Sequence, residues 1–205
     1  MANVTLPSTL ETVGHHAFNY NEKLTKVVMP SAVTIGEYAF DGCSSLSDFT
    51  LPGNLVTIGE YAFYGCNSLT SLEFPESLTN IGNHAFEHTG LTSVSLPKSV
   101  TWLQGGTFAR CESLQSVTMP GIIAIDSDVF YGCTSLQEIT LPDGLLYIWV
   151  YAFYDCTSLT SINLPASVYS IGDDAFYGCD NLTVTVVPGS YGESYCQSHN
   201  IPYVY

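Results

Sequence analysis

Six cysteines stand at one repeated spacing: Cys43, Cys66, Cys111, Cys133, Cys156 and Cys179. Each lies three residues after a phenylalanine and three before a leucine, as in Phe63-Tyr64-Gly65-Cys66 and Cys66-Asn67-Ser68-Leu69. An even cysteine count in a surface protein suggests a disulfide framework. Here the spacing turns every thiol inward, where a free thiol behaves as a small hydrophobe. The expectation is therefore a ladder of free, inert thiols. Cys196 lies outside the ladder and is expected to be free, with a bridge to Cys179 as the alternative. No C-x-x-C occurs, so structural zinc is not expected.

The remaining reactive residues assemble into no recognised machinery. His84 and His88 in H-A-F-E-H lie one helical turn apart, but the zinc-protease motif needs Glu directly after the first His, and Ala85 stands there. Asp126-x-Asp128 and Asp173-Asp174 lack the ligand count of a calcium loop. There is no G-x-S-x-G. Gly105-Gly106 lacks every other part of a phosphate-binding loop. Ser68, Ser71, Ser93, Ser116, Ser158 and Ser161 recur in phase with the cysteines, as turn and strand-surface residues would. No catalytic residue, metal or cofactor is assigned, and the chain is read as not an enzyme.

Charge narrows the partners. Four Lys and Arg face nineteen Asp and Glu, a formal net charge of −15. Nucleic acid is excluded, because its phosphates require basic side chains. Anionic membranes are excluded likewise. No apolar run approaches the length of a membrane-spanning helix, so no membrane insertion is expected. High net charge keeps a protein soluble, and it also favours basic partners.

The elements that position these residues follow from the prolines. Pro7, Pro30, Pro52, Pro75, Pro97, Pro120, Pro142, Pro165 and Pro188 recur at 22 or 23 residues, in phase with Phe18, Phe40, Phe63, Phe86, Phe108, Phe130, Phe153 and Phe176. Such a period marks a leucine-rich solenoid, in which units too small to bury their own apolar face stack into one core. Leu51 to Phe74 is the model unit. Leu69-x-x-Leu72-x-Phe74 alternates like a short strand. Gly59 marks a bend at positive φ, and Glu60 to Gly65 are expected to form one helical turn with Ala62 and Phe63 facing inward.

The motif L-x-x-(I/V/L)-x-(L/M/F)-P-x-x-(L/V)-x-x-I-G-x-x-A-F-x-x-C, running from Val4 to about Pro188, resembles the BspA-like leucine-rich repeats. The resemblance implies a right-handed superhelix of about eight coils. Short parallel β-strands and short helical turns make up each coil, and a C-terminal cap closes the stack. Residues 1–188 form the solenoid and 189–205 the cap of the same domain. Gly189 to Asn200 are expected to be a short helix and Ile201 to Tyr205 a last strand. Val184 and Val186 are apolar at polar positions, so either a bulge shifts the register or the cap covers them. The resemblance further implies a secreted or cell-surface protein of a host-associated microbe, adhering to host surface or matrix proteins. The chain opens at Val4-Thr5-Leu6-Pro7, already at a strand position, and is read as a fragment without its upstream repeats and export signal. Its uncapped first coil would permit end-to-end self-association.

Two surfaces compete for a partner. Coils five to seven lose the glycine of the motif, which becomes Gln104, Asp126 and Trp149. The position two before it becomes Trp102, Ala124 and Tyr147. Trp102, Gln104, Asp126, Tyr147 and Trp149 thus form the first candidate, since exposed Trp and Tyr make binding hot spots. The competing reading folds the tryptophans over the missing glycine bends as packing. The second candidate is the strand face, small and hydroxyl-rich, with Asp48, Glu73, Gln115, Gln137 and Glu138 as its polar contacts. Two other functions are carried beside protein binding: a structural spacer that displays other domains, and carbohydrate recognition through Trp102, Tyr147 and Trp149.

Overall fold

The periodic apolar residues bury themselves by winding. In a computed structural model, which describes residues 2–205, the chain forms a parallel β-solenoid of about nine turns. Strands of two to five residues, most of them longer than two, make one face: Ala2–Thr5, Leu24–Val28, Asp48–Phe49, Ser93–Ser95, Ser116–Thr118, Glu138–Thr140, Ser161–Asn163, Thr183–Thr185 and Tyr203–Val204. Two-residue strands make a second face, which the sequence reading did not anticipate: Thr12–Val13, Thr34–Ile35, Thr57–Ile58, Asn80–Ile81, Trp102–Leu103, Ala124–Ile125, Tyr147–Ile148 and Ser170–Ile171. All pairing is parallel and joins equivalent positions: Val117 lies opposite Val94 and Ile139, and Ile125 opposite Leu103 and Ile148.

The third side of each coil is a turn, and here two expectations fail. No helical turn forms at Glu60 to Gly65. The residue before Ala-Phe and the residue two after Phe are both left-handed, as at Tyr61 (φ 53°) and Gly65 (φ 67°). Alternating hands cannot propagate a helix. Gly59 is not in the left-handed region either. It is glycine because a Cβ there would come within 2.6 Å of the Glu37 amide nitrogen in the preceding coil. The turns are joined by backbone bonds between coils: the Phe40 N–H donates to the Ala62 carbonyl at 2.8 Å, and the Phe63 N–H to that of Ala85 at 2.8 Å.

The core is a set of ladders. Eight phenylalanine rings stack from Phe18 to Phe176 at centroid spacings of 5.2 to 6.0 Å. The widest step, 6.0 Å, separates Phe108 from Phe130. There Thr107 and Val129, both fully buried, replace the usual alanine and hold the coils apart. All seven cysteines are free and buried, as expected, Cys196 included. The thiols are also hydrogen-bond donors: Cys66 Sγ donates to the Phe40 carbonyl at 3.2 Å and Cys133 Sγ to that of Phe108 at 3.2 Å. Thr89 takes the place of the missing cysteine and is itself buried, its hydroxyl donating to the Phe86 carbonyl at 2.9 Å.

Bulk interrupts the ladders at predictable places. The long-strand face divides into three sheets. One gap falls at residues 71–74, where Phe49 and Phe74 stand in place of Val or Leu and pack edge-on against Phe40, Phe63 and Phe86. The short-strand face breaks between Asn80–Ile81 and Trp102–Leu103, at the first coil whose glycine is lost. The Gly82 Cα lies so close to the coil before it that a Cβ would meet the Glu60 nitrogen at 2.5 Å. At the corresponding Gln104 the two strands do not pair, although Asp126 and Trp149 also carry a Cβ and their strands pair with the coils before them.

The end of the solenoid follows expectation, with refined bounds. Tyr191–His199 is a helix, capped by Ser190, whose hydroxyl accepts from the Glu193 N–H, and closed by Asn200 in the left-handed region. The Glu193 carboxylate accepts in return from the N–H of Gly189, the residue before the cap, at 2.6 Å. Tyr195 and Cys196 cover the last coil. Val184 and Val186 are buried because this strand begins one residue earlier than the others: Val184 pairs with Ile162.

Candidate binding surface

Trp102, Tyr147 and Trp149 come together on the short-strand face. Ala124 pairs with Trp102 on one side and Tyr147 on the other. Its methyl group is too small to fill the row. Trp102 and Trp149, two coils apart, therefore reach each other over it, with ring centroids 5.8 Å apart at 78°. Thr101, Ile123 and Ala124 complete a groove of about 210 Å³ between the rings. The aromatic side chains remain open to solvent: Trp102 is 49% exposed, Trp149 39% and Tyr147 37%. The tryptophans thus pack on each other across the missing glycines and still present an aromatic surface.

Gln104 and Asp126 do not join this group. Gln104 donates its amide to Asn80 Oδ1 at 2.8 Å, toward the preceding coil. Asp126 Oδ1 accepts from the Ser127 N–H at 2.6 Å and so caps its own turn. The reason is local: a residue at the former glycine position lies at the corner between strand and turn, where unpaired backbone groups compete for its polar atoms.

Of the strand-face residues, Asp48 and Glu73 stand apart and the other three lie together. Asp48, Glu73, Gln115, Gln137 and Glu138 are all exposed. Asp48 is occupied by an ion pair with Lys26 at 2.6 Å, across the neighbouring strand. Glu73 lines a depression of about 450 Å³ that opens where the sheet breaks at Phe49 and Leu72. Gln115, Gln137 and Glu138 are neighbours: the Gln137 and Glu138 N–H groups both donate to the Gln115 carbonyl of the adjacent coil, at 2.9 and 3.1 Å.

The turn side carries aromatic rows as well. His16, Tyr38, Tyr61 and His84 stack face to face at 4.7 to 4.9 Å. Each occupies the left-handed position before Ala-Phe. Gly106 ends the row, where any side chain would strike the His84 ring. A second row, Tyr131, Tyr154 and Tyr177, stacks at 5.1 and 5.0 Å. The signal was present in the sequence as a tyrosine directly after Phe in coils three and six to eight. Its meaning depended on knowing that the turns superpose.

His84 and His88 do not face each other; both contact Glu87, His84 Nδ1 at 2.7 Å and His88 Nε2 at 3.9 Å. Among the described residues no three His, Cys, Asp or Glu side chains are grouped to hold a metal ion, and no helix is long and apolar enough to cross a membrane.

The coil just described is shared by known proteins. The chain matches the model of the BspA type leucine rich repeat region in six copies, over residues 1–115 and 104–200. Among solved structures, the T. pallidum leucine-rich repeat protein is 36% identical over 77% of each chain, with a TM-score of 0.73. A leucine-rich repeat protein from Bacteroides ovatus is 24% identical over 98% of this chain and 83% of its own, with a TM-score of 0.48. A leucine rich cell surface protein from Faecalibacterium prausnitzii is 23% identical over 94% of this chain and 74% of its own, with a TM-score of 0.49. A search of curated proteins finds no significant match.

Proposed function

We propose, from the premise that the chain belongs to the BspA-type leucine-rich-repeat family, that it is a non-catalytic, extracellular protein-binding module. Its partner is a host surface or matrix protein. The observation that supports this reading is the aromatic groove at Trp102, Tyr147 and Trp149. Hot spots of protein interfaces favour Trp and Tyr in pockets that a partner can seal from water. The groove has such a shape, and its aromatic walls stand in an otherwise hydroxyl-rich, acidic surface. The two indoles are nearly perpendicular. They make a notch for a protruding apolar side chain rather than the flat platform on which a sugar ring stacks. Protein binding is therefore favoured over carbohydrate recognition.

The test is binding of the chain to immobilised matrix proteins and to a glycan array, beside Trp102→Ala/Trp149→Ala. Both side chains are exposed, so the double variant should fold. The expected result is a protein ligand whose affinity falls by at least about thirtyfold in the variant, the loss of a hot spot worth roughly 2 kcal/mol. Unchanged affinity in the folded variant would move the site to Asp48, Glu73, Gln115, Gln137 and Glu138. Glycan binding lost with the tryptophans would favour the carbohydrate reading.

One observation favours a second function. Among the described residues, Ala2–Thr5 is hydrogen bonded to Leu24–Val28 on one side and stands at the edge of its sheet. A spacer that associates end to end through that edge would dimerise in sedimentation at rising concentration. Substituting proline at Thr5, whose N–H faces the open edge, would abolish the dimer.

A further inference from the structure

The turn side of coils six to eight carries a group of side chains that the groove does not share. Tyr131, Tyr154 and Tyr177 stack with interplanar angles of 13° and 19°. Tyr151 stands edge-on to Tyr154 at 5.5 Å and 84°. With Asp128 and Asp174 these tyrosines line a depression of about 420 Å³. The left-handed backbone at Asp128, Tyr151 and Asp174, with φ of 60°, 59° and 56°, aligns the three side chains in one row. A carboxylate therefore stands one coil to either side of Tyr151. Among the described residues neither aspartate forms an ion pair with a basic side chain.

From this geometry we propose that the depression is a second binding site, specific for the guanidinium group of an arginine in a basic polypeptide. The chain supplies one example of the contact. Its single arginine, Arg110, lies over the first ring of the stack, 5.2 Å from the Tyr131 centroid. That contact covers the Tyr131 end only. The far end stays open, with Tyr177 59% exposed. Guanidinium is planar and weakly hydrated. It stacks on aromatic faces and donates two parallel hydrogen bonds to a carboxylate. Ring faces and carboxylates arranged together suit those two properties at once. An ammonium is a compact, strongly hydrated charge and gains less from the rings. The net charge of −15 adds a long-range attraction for basic segments. This site shares no residue with the Trp102 groove, so either can fail while the other stands.

Calorimetric titration of the intact chain with Gly-Arg-Gly-Arg-Gly and with Gly-Lys-Gly-Lys-Gly at physiological ionic strength tests the proposal. The first variant is Asp128→Asn/Asp174→Asn, because Asn adopts the left-handed region readily and keeps the turns intact. Glu76→Gln/Glu112→Gln removes the same two charges elsewhere. Tyr177→Ala removes the open ring. The arginine peptide should bind the parent chain more tightly than the lysine peptide. The aspartate pair and Tyr177→Ala should each lose affinity by about tenfold, and the glutamate pair by far less. Equal affinity for the two peptides, or an equal loss in both charge-neutralised pairs, would show attraction by net charge alone and overturn the site. So would the absence of any binding by the arginine peptide.

Discussion

At the scale of single residues, two kinds of position decide whether the coils can stack. The first is the glycine before each turn. At Gly36, Gly59, Gly82 and Gly172 a Cβ would come within 2.8 Å of the preceding coil's backbone. Backbone atoms of a neighbouring coil cannot rotate aside, so the coil must lift. Gly82→Ala should therefore destabilise the protein by about 1–3 kcal/mol, the usual cost of overpacking. Gly144, by contrast, has nothing within 4 Å of its would-be Cβ and no left-handed φ, and Gly144→Ala should be close to neutral. Urea midpoints of the two variants check the contrast, and equal stability would refute it. The second position is the left-handed one, which costs a non-glycine residue about 1–2 kcal/mol. Tyr38, Tyr61 and His84 occupy it nonetheless. Their rings stack on one another, which offsets part of that cost.

At the scale of the element, the cysteine ladder is a structural device with a titration behaviour of its own. Each Sγ–H bridges to the phenylalanine carbonyl of the coil before it, as for Cys43, Cys111 and Cys156 at 3.1, 3.1 and 3.2 Å. Burial raises the Cys43 and Cys111 thiols from 9.0 to about 11, and it lifts Cys66 and Cys133 well above 9.0. The folded protein thus holds these protons where the unfolded chain has lost them. A group whose folded pKa is raised contributes stability that is complete below its unfolded pKa and declines above it. Stability to urea should be flat near neutrality and fall as pH rises from 9.0 toward about 11. Cys111→Ala should flatten that fall while lowering stability at pH 7 through the cavity it leaves. An unchanged slope in Cys111→Ala would show that other groups carry the alkaline loss. A thiol reagent should react with native Cys66, Cys111 and Cys133 only through unfolding, because the thiolate is the nucleophile.

At the scale of the whole molecule, each coil touches only its neighbours, so stability depends on how the stack is closed. The cap closes one end. Tyr195 packs its ring against Phe176 and His199, and its hydroxyl donates to the Gly172 carbonyl at 3.2 Å. Tyr195→Ala should cost about 3–5 kcal/mol, as for other large aromatic truncations. The loss should be graded along the axis. Amide exchange should accelerate first in the last coils, around Ile171 to Val186, and least around Ile58. Uniform acceleration would mean that the solenoid unfolds as one unit.

The sequence by itself determined the period, the inward ladders of Phe and Cys, the cap and the family. A 22- or 23-residue repeat leaves one way to bury Leu, Phe and Cys together, so those positions were legible without coordinates. It also marked Trp102, Tyr147 and Trp149, because they break an otherwise regular pattern. It did not separate Gln104 and Asp126 from them, since their turning away depends on backbone groups at a corner that only the fold creates. Nor did it reveal the left-handed residues before each Ala-Phe, because Tyr38, Tyr61 and Tyr151 carry no local preference that announces that conformation. Neighbouring coils impose it. The tyrosine stack with Asp128 and Asp174 exists for the same reason: residues 23 apart in sequence become about 5 Å apart in space, and only stacking decides which of them meet.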